Sequence, residues 1–203
     1  MLDSRLRRLI DPPLDRIGAA LGRRGIGADA VTLAGFAVGA ASFPALATQA
    51  YGLALALILL NRVMDGLDGA VARHAGATDF GGYLDIVCDF LFYSGVVFFF
   101  AAGRPELALP AAFLIFSFVG TGSSFLAYAV FAAKRNVTTS IRGAKSLYYI
   151  GGLTEGTETI ALFIAICLFP DAFPWLAWGF GALCWITTAA RITAAAGAFR
   201  PQP

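Results

Sequence analysis

The chain has 203 residues, 58% of them hydrophobic and only 14% charged, with a net charge of +2. A soluble domain of this size carries about 25% charged residues, so composition argues against a water-soluble globule and for one compact, all-α, polytopic membrane protein. The small net charge and the lack of a recognition motif give no ground for a nucleic-acid partner. Cys88, Cys167 and Cys184 lie in apolar stretches without CxxC spacing, so neither a thiolate zinc site nor a disulfide framework is suggested.

Residues 1–28 differ from the rest. Arg5, Arg7 and Arg8 interleave with Leu2, Leu6, Leu9 and Ile10, and Ile17, Ala20 and Leu21 follow Asp11-Pro12-Pro13. No apolar run or cleavage site of a signal peptide is present. The pattern predicts an amphipathic segment on an anionic leaflet, with a basic, topology-fixing tail as the alternative. Residues 29–200 then form one six-helix domain. Runs long enough to cross a bilayer, about 20 residues, are expected at 31–49, 51–72, 82–102, 108–132, 147–169 and 173–195. Pro170-Asp171 ends the fifth, and Pro174 suits the first turn of the sixth.

Basic residues set the expected orientation. With both termini cytoplasmic, that side receives the arginines up to Arg24, Arg73, the Lys134–Lys145 link, Arg191 and Arg200. The opposite side receives Arg104. The end of the second span and the start of the third would then share the cytoplasmic surface.

Asp65 and Asp68 are i,i+3 on one helix, and Asp85 and Asp89 are i,i+4 on the next. Each pair projects from one face, and the short connection makes the helices antiparallel neighbours. Four carboxylates at the hydrocarbon boundary repel one another and lose hydration. A divalent cation relieves both problems. Hard Mg2+ or Mn2+ fits an oxygen-only donor set, whereas a zinc cluster and a calcium-binding EF-hand loop are absent from the sequence.

Gly66 and Gly69 flank Asp68, and Gly81 and Gly82 open the facing helix, leaving room for a bulky polar ligand beside the cation. Arg73 is placed to grip phosphate oxygens. Asn61 and Arg62, less than two turns before Asp65, either support the cluster or serve structure. His74 sits in an exposed turn and carries no expected catalytic part. Cations, an arginine and glycine access together point to chemistry on a phosphate ester or anhydride, with one carboxylate left as general base toward an attacking hydroxyl.

These residues resemble the signature of the CDP-alcohol phosphatidyltransferase family, DxxDG-xx-AR, a spacer of seven or eight residues, then G-xxx-D-xxx-D. The matching positions are Asp65, Asp68, Gly69, Ala72, Arg73, Gly81, Asp85 and Asp89, with a seven-residue spacer. The resemblance implies attack by an alcohol on the β-phosphate of a CDP-linked donor, departure of CMP, and a place in phospholipid biosynthesis. It also implies Mg2+ or Mn2+, two ions, held by Asp65, Asp68 and Asp85. Asp89 would act as general base with metal contact as well. Arg73 would bind the diphosphate, and Gly69 and Gly81 would make room for the nucleotide. A CDP-linked lipid donor, a small alcohol acceptor, a homodimer and a bacterial inner-membrane location with a cytoplasmic site follow from the same likeness. One departure stands at Asp29 in Ala28-Asp29-Ala30-Val31-Thr32-Leu33, where many relatives have Asn; Thr32 is retained.

The acceptor is left open. Lys134, Arg135, Arg142 and Lys145 are candidate contacts for a phosphorylated acceptor, and Glu155 and Glu158, i,i+3 at a polar helix entrance, are candidates too. Helix packing is the expected role of Thr121 to Ser124. The rival reading is an ion-coupled transporter using the intramembrane acids, although the chain lacks an inverted repeat. An inactive scaffold is a third.

Overall fold

The computed structural model describes residues 2–135 and 153–199, with side chains for 11–135 and 153–199. In chain order the helices are α1 (Leu2–Arg23), α2 (Ala28–Ala40), α3 (Ser42–Ala47), α4 (Tyr51–Ala75), α5 (Asp79–Ala102), α6 (Ala108–Lys134), α7 (Gly156–Leu168) and α8 (Phe173–Phe199). Short 3-10 turns, Pro105–Leu107 and Pro170–Ala172, lead into α6 and α8.

The expectation of six spans is corrected to four. Among the described residues, the stretches long and apolar enough to cross a membrane are Ala28–Ala47, Asp79–Ala102, Pro105–Lys134 and Pro170–Phe199. The first joins α2 and α3 across a bend at Ala41, where the Ser42 hydroxyl donates to the Gly39 carbonyl at 2.6 Å. The expected span at 51–72 lies within the 25-residue α4. Every 18-residue window of α4 includes Arg62, Asp65 and Asp68, too many ionisable groups for an apolar span. Of the expected span at 147–169, the described residues contain the 13-residue α7. At 1.5 Å per residue that helix reaches about 20 Å, short of a hydrocarbon core roughly 30 Å thick.

The N-terminal segment is the helix α1, and from Asp11 onward it docks on α4. A Cβ on Gly18 would lie 2.8 Å from the Ala70 backbone, and one on Gly66 would lie 2.8 Å from Leu14 Cδ1. Small residues on both helices permit this close crossing. α2 packs along both α4 and α5, and α6 packs along α8. The shared core is aromatic and aliphatic: Phe92, Phe100, Phe163, Phe173, Leu46, Ile58 and Ile166 are fully buried.

Two arginines used to set topology have structural partners. Arg191 is buried between α6 and α8, where it donates to the Thr121 carbonyl at 2.9 Å. Arg104 joins the starts of α6 and α8 through Glu106 at 3.0 Å and Asp171 at 2.8 Å. Hydrogen bonds to those two carboxylates hold its guanidinium above the usual arginine range.

Candidate active site

The chain reversal between α4 and α5 takes three residues. Gly76, at φ 98°, ends α4, and its N–H donates to the Ala72 carbonyl at 3.0 Å. Thr78 then caps α5, its hydroxyl accepting from the Gly81 N–H at 2.9 Å. This tight return brings the last turns of α4 opposite the first turns of α5, with α2 behind both. The result is a small open cleft whose walls include Thr32, Asp65, Asp68, Asp85 and Asp89.

Asp65, Asp68 and Asp85 each direct one carboxylate oxygen to positions within 4.8 Å of one another. Three oxygen donors at this spacing fit a hard divalent cation and offer nothing to a soft one. Asp68 is the most enclosed, at 6% exposure. Its Oδ2 accepts from the Thr32 hydroxyl on α2 at 2.7 Å, and that hydroxyl also approaches the Ala28 carbonyl at 3.1 Å. Such a bond to a charged acceptor contributes about 1.5–3 kcal/mol, and it restricts rotation of the Asp68 carboxylate.

Asp89 has a different partner. Its Oδ1 accepts from Arg62 Nη1 at 2.9 Å, while its Oδ2 meets the Tyr93 hydroxyl at 3.4 Å. Arg62 also lies 3.7 Å from Asp65 Oδ2. Asp89 stands outside the grouping of Asp65, Asp68 and Asp85, and an ion pair that spacing did not reveal holds it.

Arg73, five residues beyond Asp68 on α4, donates through Nε and Nη2 to Asp15 Oδ1 of α1 at 3.1 and 2.6 Å. A Cβ on Gly69 would lie 3.7 Å from Arg73 Nη1, so this glycine sits beside the fork. A Cβ on Gly81 would meet Asp29 Oδ1 at 2.8 Å. The Asp that departs from the family pattern therefore sits against the first turn of α5, where the helix dipole favours negative charge.

The candidate acceptor contacts are spread out. Glu155 and Glu158 form a reciprocal capping box at the start of α7. Arg135 donates to the Phe199 carbonyl at 2.6 Å and to Ala198 at 3.2 Å, closing the end of α8. Lys134 ends α6, and Arg142 and Lys145 lie outside the described residues. Sequence reasoning missed Thr32 as the partner of Asp68 and Asp15 as the partner of Arg73. Both bonds join separate helices, so no local spacing announces them.

A cation-competent carboxylate cluster with an arginine nearby, set in a multi-pass membrane protein, defines a membrane-embedded phosphotransferase. The chain belongs to the CDP-alcohol phosphatidyltransferase family, which matches residues 26–192. It transfers a CDP-linked phosphatidyl-type group to an alcohol acceptor, a reaction of lipid metabolism, and the transport alternative gives way to that membership. Inner membrane protein YnjF of Escherichia coli (strain K12) is 53% identical over 193 residues, covering 95% of this chain and 94% of that protein. The archaetidylinositol phosphate synthase of Pyrococcus horikoshii is 34% identical over 101 residues, covering 49% and 54% of the two chains. In fold, the chain resembles Mycobacterium tuberculosis phosphatidylinositol phosphate synthase (PgsA1) with CDP-DAG bound. There the TM-score is 0.73 at 19% identity, covering 94% of this chain and 98% of that one.

Proposed function

We propose that this protein works at the cytoplasmic face of a bacterial inner membrane, taking a CDP-diacylglycerol-type donor and a small polar alcohol. The observation that carries the reading is the convergence of Asp65, Asp68 and Asp85 within 4.8 Å, beside a fourth carboxylate with a different partner. Two Mg2+ or Mn2+ ions held at these carboxylates would complete their coordination with donor phosphate oxygens and water. A divalent cation held by Asp65, Asp68 and Asp85 would neutralise charge on the phosphoryl oxygens and on the departing CMP.

The remaining work belongs to side chains. Arg73 exchanges Asp15 for the donor diphosphate, to which its planar fork is better matched. Gly69 and Gly81 leave room for the nucleotide. Asp89 accepts the proton of the acceptor hydroxyl, and its Oδ2 suits that task because the 3.4 Å contact with Tyr93 holds it only weakly. The hydroxyl oxygen bonds to the β-phosphorus, the anhydride bond to CMP breaks, and the proton ends on Asp89.

Basic residues around the Arg73 end of the bundle, with Arg104 at the other, support the cytoplasmic orientation. Exposed apolar side chains, including Phe116 and Val119 of α6 and Ile186 of α8, are compatible with a homodimer. Inositol phosphate heads the acceptor panel, because relatives in sequence and in fold carry names of inositol phosphate synthases. Glycerol 3-phosphate, inositol and serine follow. The test is Asp89→Asn: turnover should collapse while binding of the CDP-linked donor persists. Normal turnover in this variant would remove Asp89 as the base.

A further inference from the structure

We infer that Arg62 is a positioning residue that divides the four aspartates by function, holding Asp89 aside as the base and leaving Asp65, Asp68 and Asp85 for the cation. This rests on the reading of Asp89 as proton acceptor given above. Neither the family signature nor the cation cluster includes Arg62, so its part comes from the local geometry alone.

The guanidinium is fixed on three sides before it reaches an aspartate. Asn61 Oδ1 accepts from Nε at 2.8 Å and from Nη2 at 2.6 Å. Asn61 is itself buried and anchored, its Nδ2 donating to the Gly35 carbonyl of α2 at 2.8 Å. The rings of Phe92 and Tyr93 lie 4.8 and 5.3 Å from the guanidinium carbon, within cation–π range. What remains is Nη1, which donates to Asp89 Oδ1 at 2.9 Å and to the Tyr93 hydroxyl at 3.1 Å. The same nitrogen stands 3.7 Å from Asp65 Oδ2, too far for a hydrogen bond. Arg62 therefore ranks the two acids: it bonds Asp89 and only neighbours Asp65.

That ranking has a chemical consequence. Four equivalent carboxylates in one cleft would all compete for the same cation, and none would be reserved for the proton. Asp89 differs because its charge is already matched, by a cation whose side chain is only 15% exposed and so is weakly screened. Matched charge makes Asp89 the poorest competitor for the divalent ion. Holding Oδ1 also stops rotation of the carboxylate and presents Oδ2 in a fixed direction. A lysine would not reproduce this, because a point-like ammonium cannot span Asn61 and Asp89 with the same planar fork.

The experiment uses the full chain in lipid nanodiscs and compares wild type, Arg62→Gln, Asp89→Asn and the double variant. Each is measured for kcat of CMP release, for donor KM, and for Mn2+ binding by the electron paramagnetic resonance of the free ion. Arg62→Gln should lower kcat about 100-fold, the scale of a misplaced reacting group, while donor KM and Mn2+ binding are kept. In the Asp89→Asn background it should add no further loss. Unchanged kcat, a loss confined to KM, loss of Mn2+ binding, or a full additional loss in the double variant would each overturn the inference. Normal turnover in Asp89→Asn would instead remove the underlying assignment of the base, so the two failures are distinguishable. If Arg62→Gln does not fold, Arg62→Lys decides: kcat should fall with donor KM kept, and wild-type kcat would refute a requirement for the fork.

Discussion

Thr32→Val tests how α2 prepares the cation cluster. The substitution is nearly isosteric and removes the hydroxyl that donates to Asp68 Oδ2 at 2.7 Å. Thr32 and Asp68 are only 8% and 6% exposed, so water has little access to replace the lost donor. A hydrogen bond to a charged acceptor is worth about 1.5–3 kcal/mol, or roughly 10- to 150-fold in an equilibrium constant. Part of that is felt as metal affinity, because a released carboxylate must be reoriented before it can act as a ligand. Loss of a partner behind a metal ligand costs about 10- to 100-fold in affinity, so the Mn2+ Kd should rise by that factor. Titration of the purified variant with Mn2+, following the free-ion resonance, measures it directly. Thr32→Ser keeps the donor and should keep the affinity. A folded Thr32→Val protein with wild-type Kd would refute the claim that α2 orients Asp68.

Asp15→Asn should lower the donor KM without changing kcat, since Arg73 would no longer be held by α1. The two side chains are 47% and 42% exposed, so screening limits the effect to about 1 kcal/mol, or roughly fivefold, read from initial rates of CMP release. Gly18→Ala should reduce thermal stability because its Cβ would lie 2.8 Å from the Ala70 backbone. Overpacking of this kind costs about 1–3 kcal/mol, and a melting curve with an unchanged midpoint would show that α1 does not dock closely on α4.

The aspartates were legible because helical spacing is a local property: i,i+3 and i,i+4 put each pair on one face, and a short turn opposes the two faces. Span counting failed for the complementary reason. The apolar first ten residues of α4 read as the start of a membrane crossing, yet Arg62, Asp65 and Asp68 follow them. The helical part of the expected fifth span among the described residues is also too short. Glu155 and Glu158 show how one spacing serves two readings, since i,i+3 acids at a helix entrance are also the geometry of a capping box. Contacts between distant segments were not legible. Thr32 meets Asp68 across 36 residues and Asp15 meets Arg73 across 58, and both depend on helix crossings that glycines permit. Arg191 was counted with the topology-fixing basic residues, but it is buried and donates to the Thr121 carbonyl of α6, a role that only packing exposes.

The central claim is that the carboxylate cluster supports phosphotransfer through a divalent cation. Its most direct measurement is CMP release from CDP-diacylglycerol by the purified chain, with inositol phosphate and the other acceptors, after chelation and again after adding back Mg2+ or Mn2+. Release should cease on chelation, return with the metal, and stay absent in Asp85→Asn. CMP release that persists without metal, or that survives in a folded Asp85→Asn protein, would contradict the account.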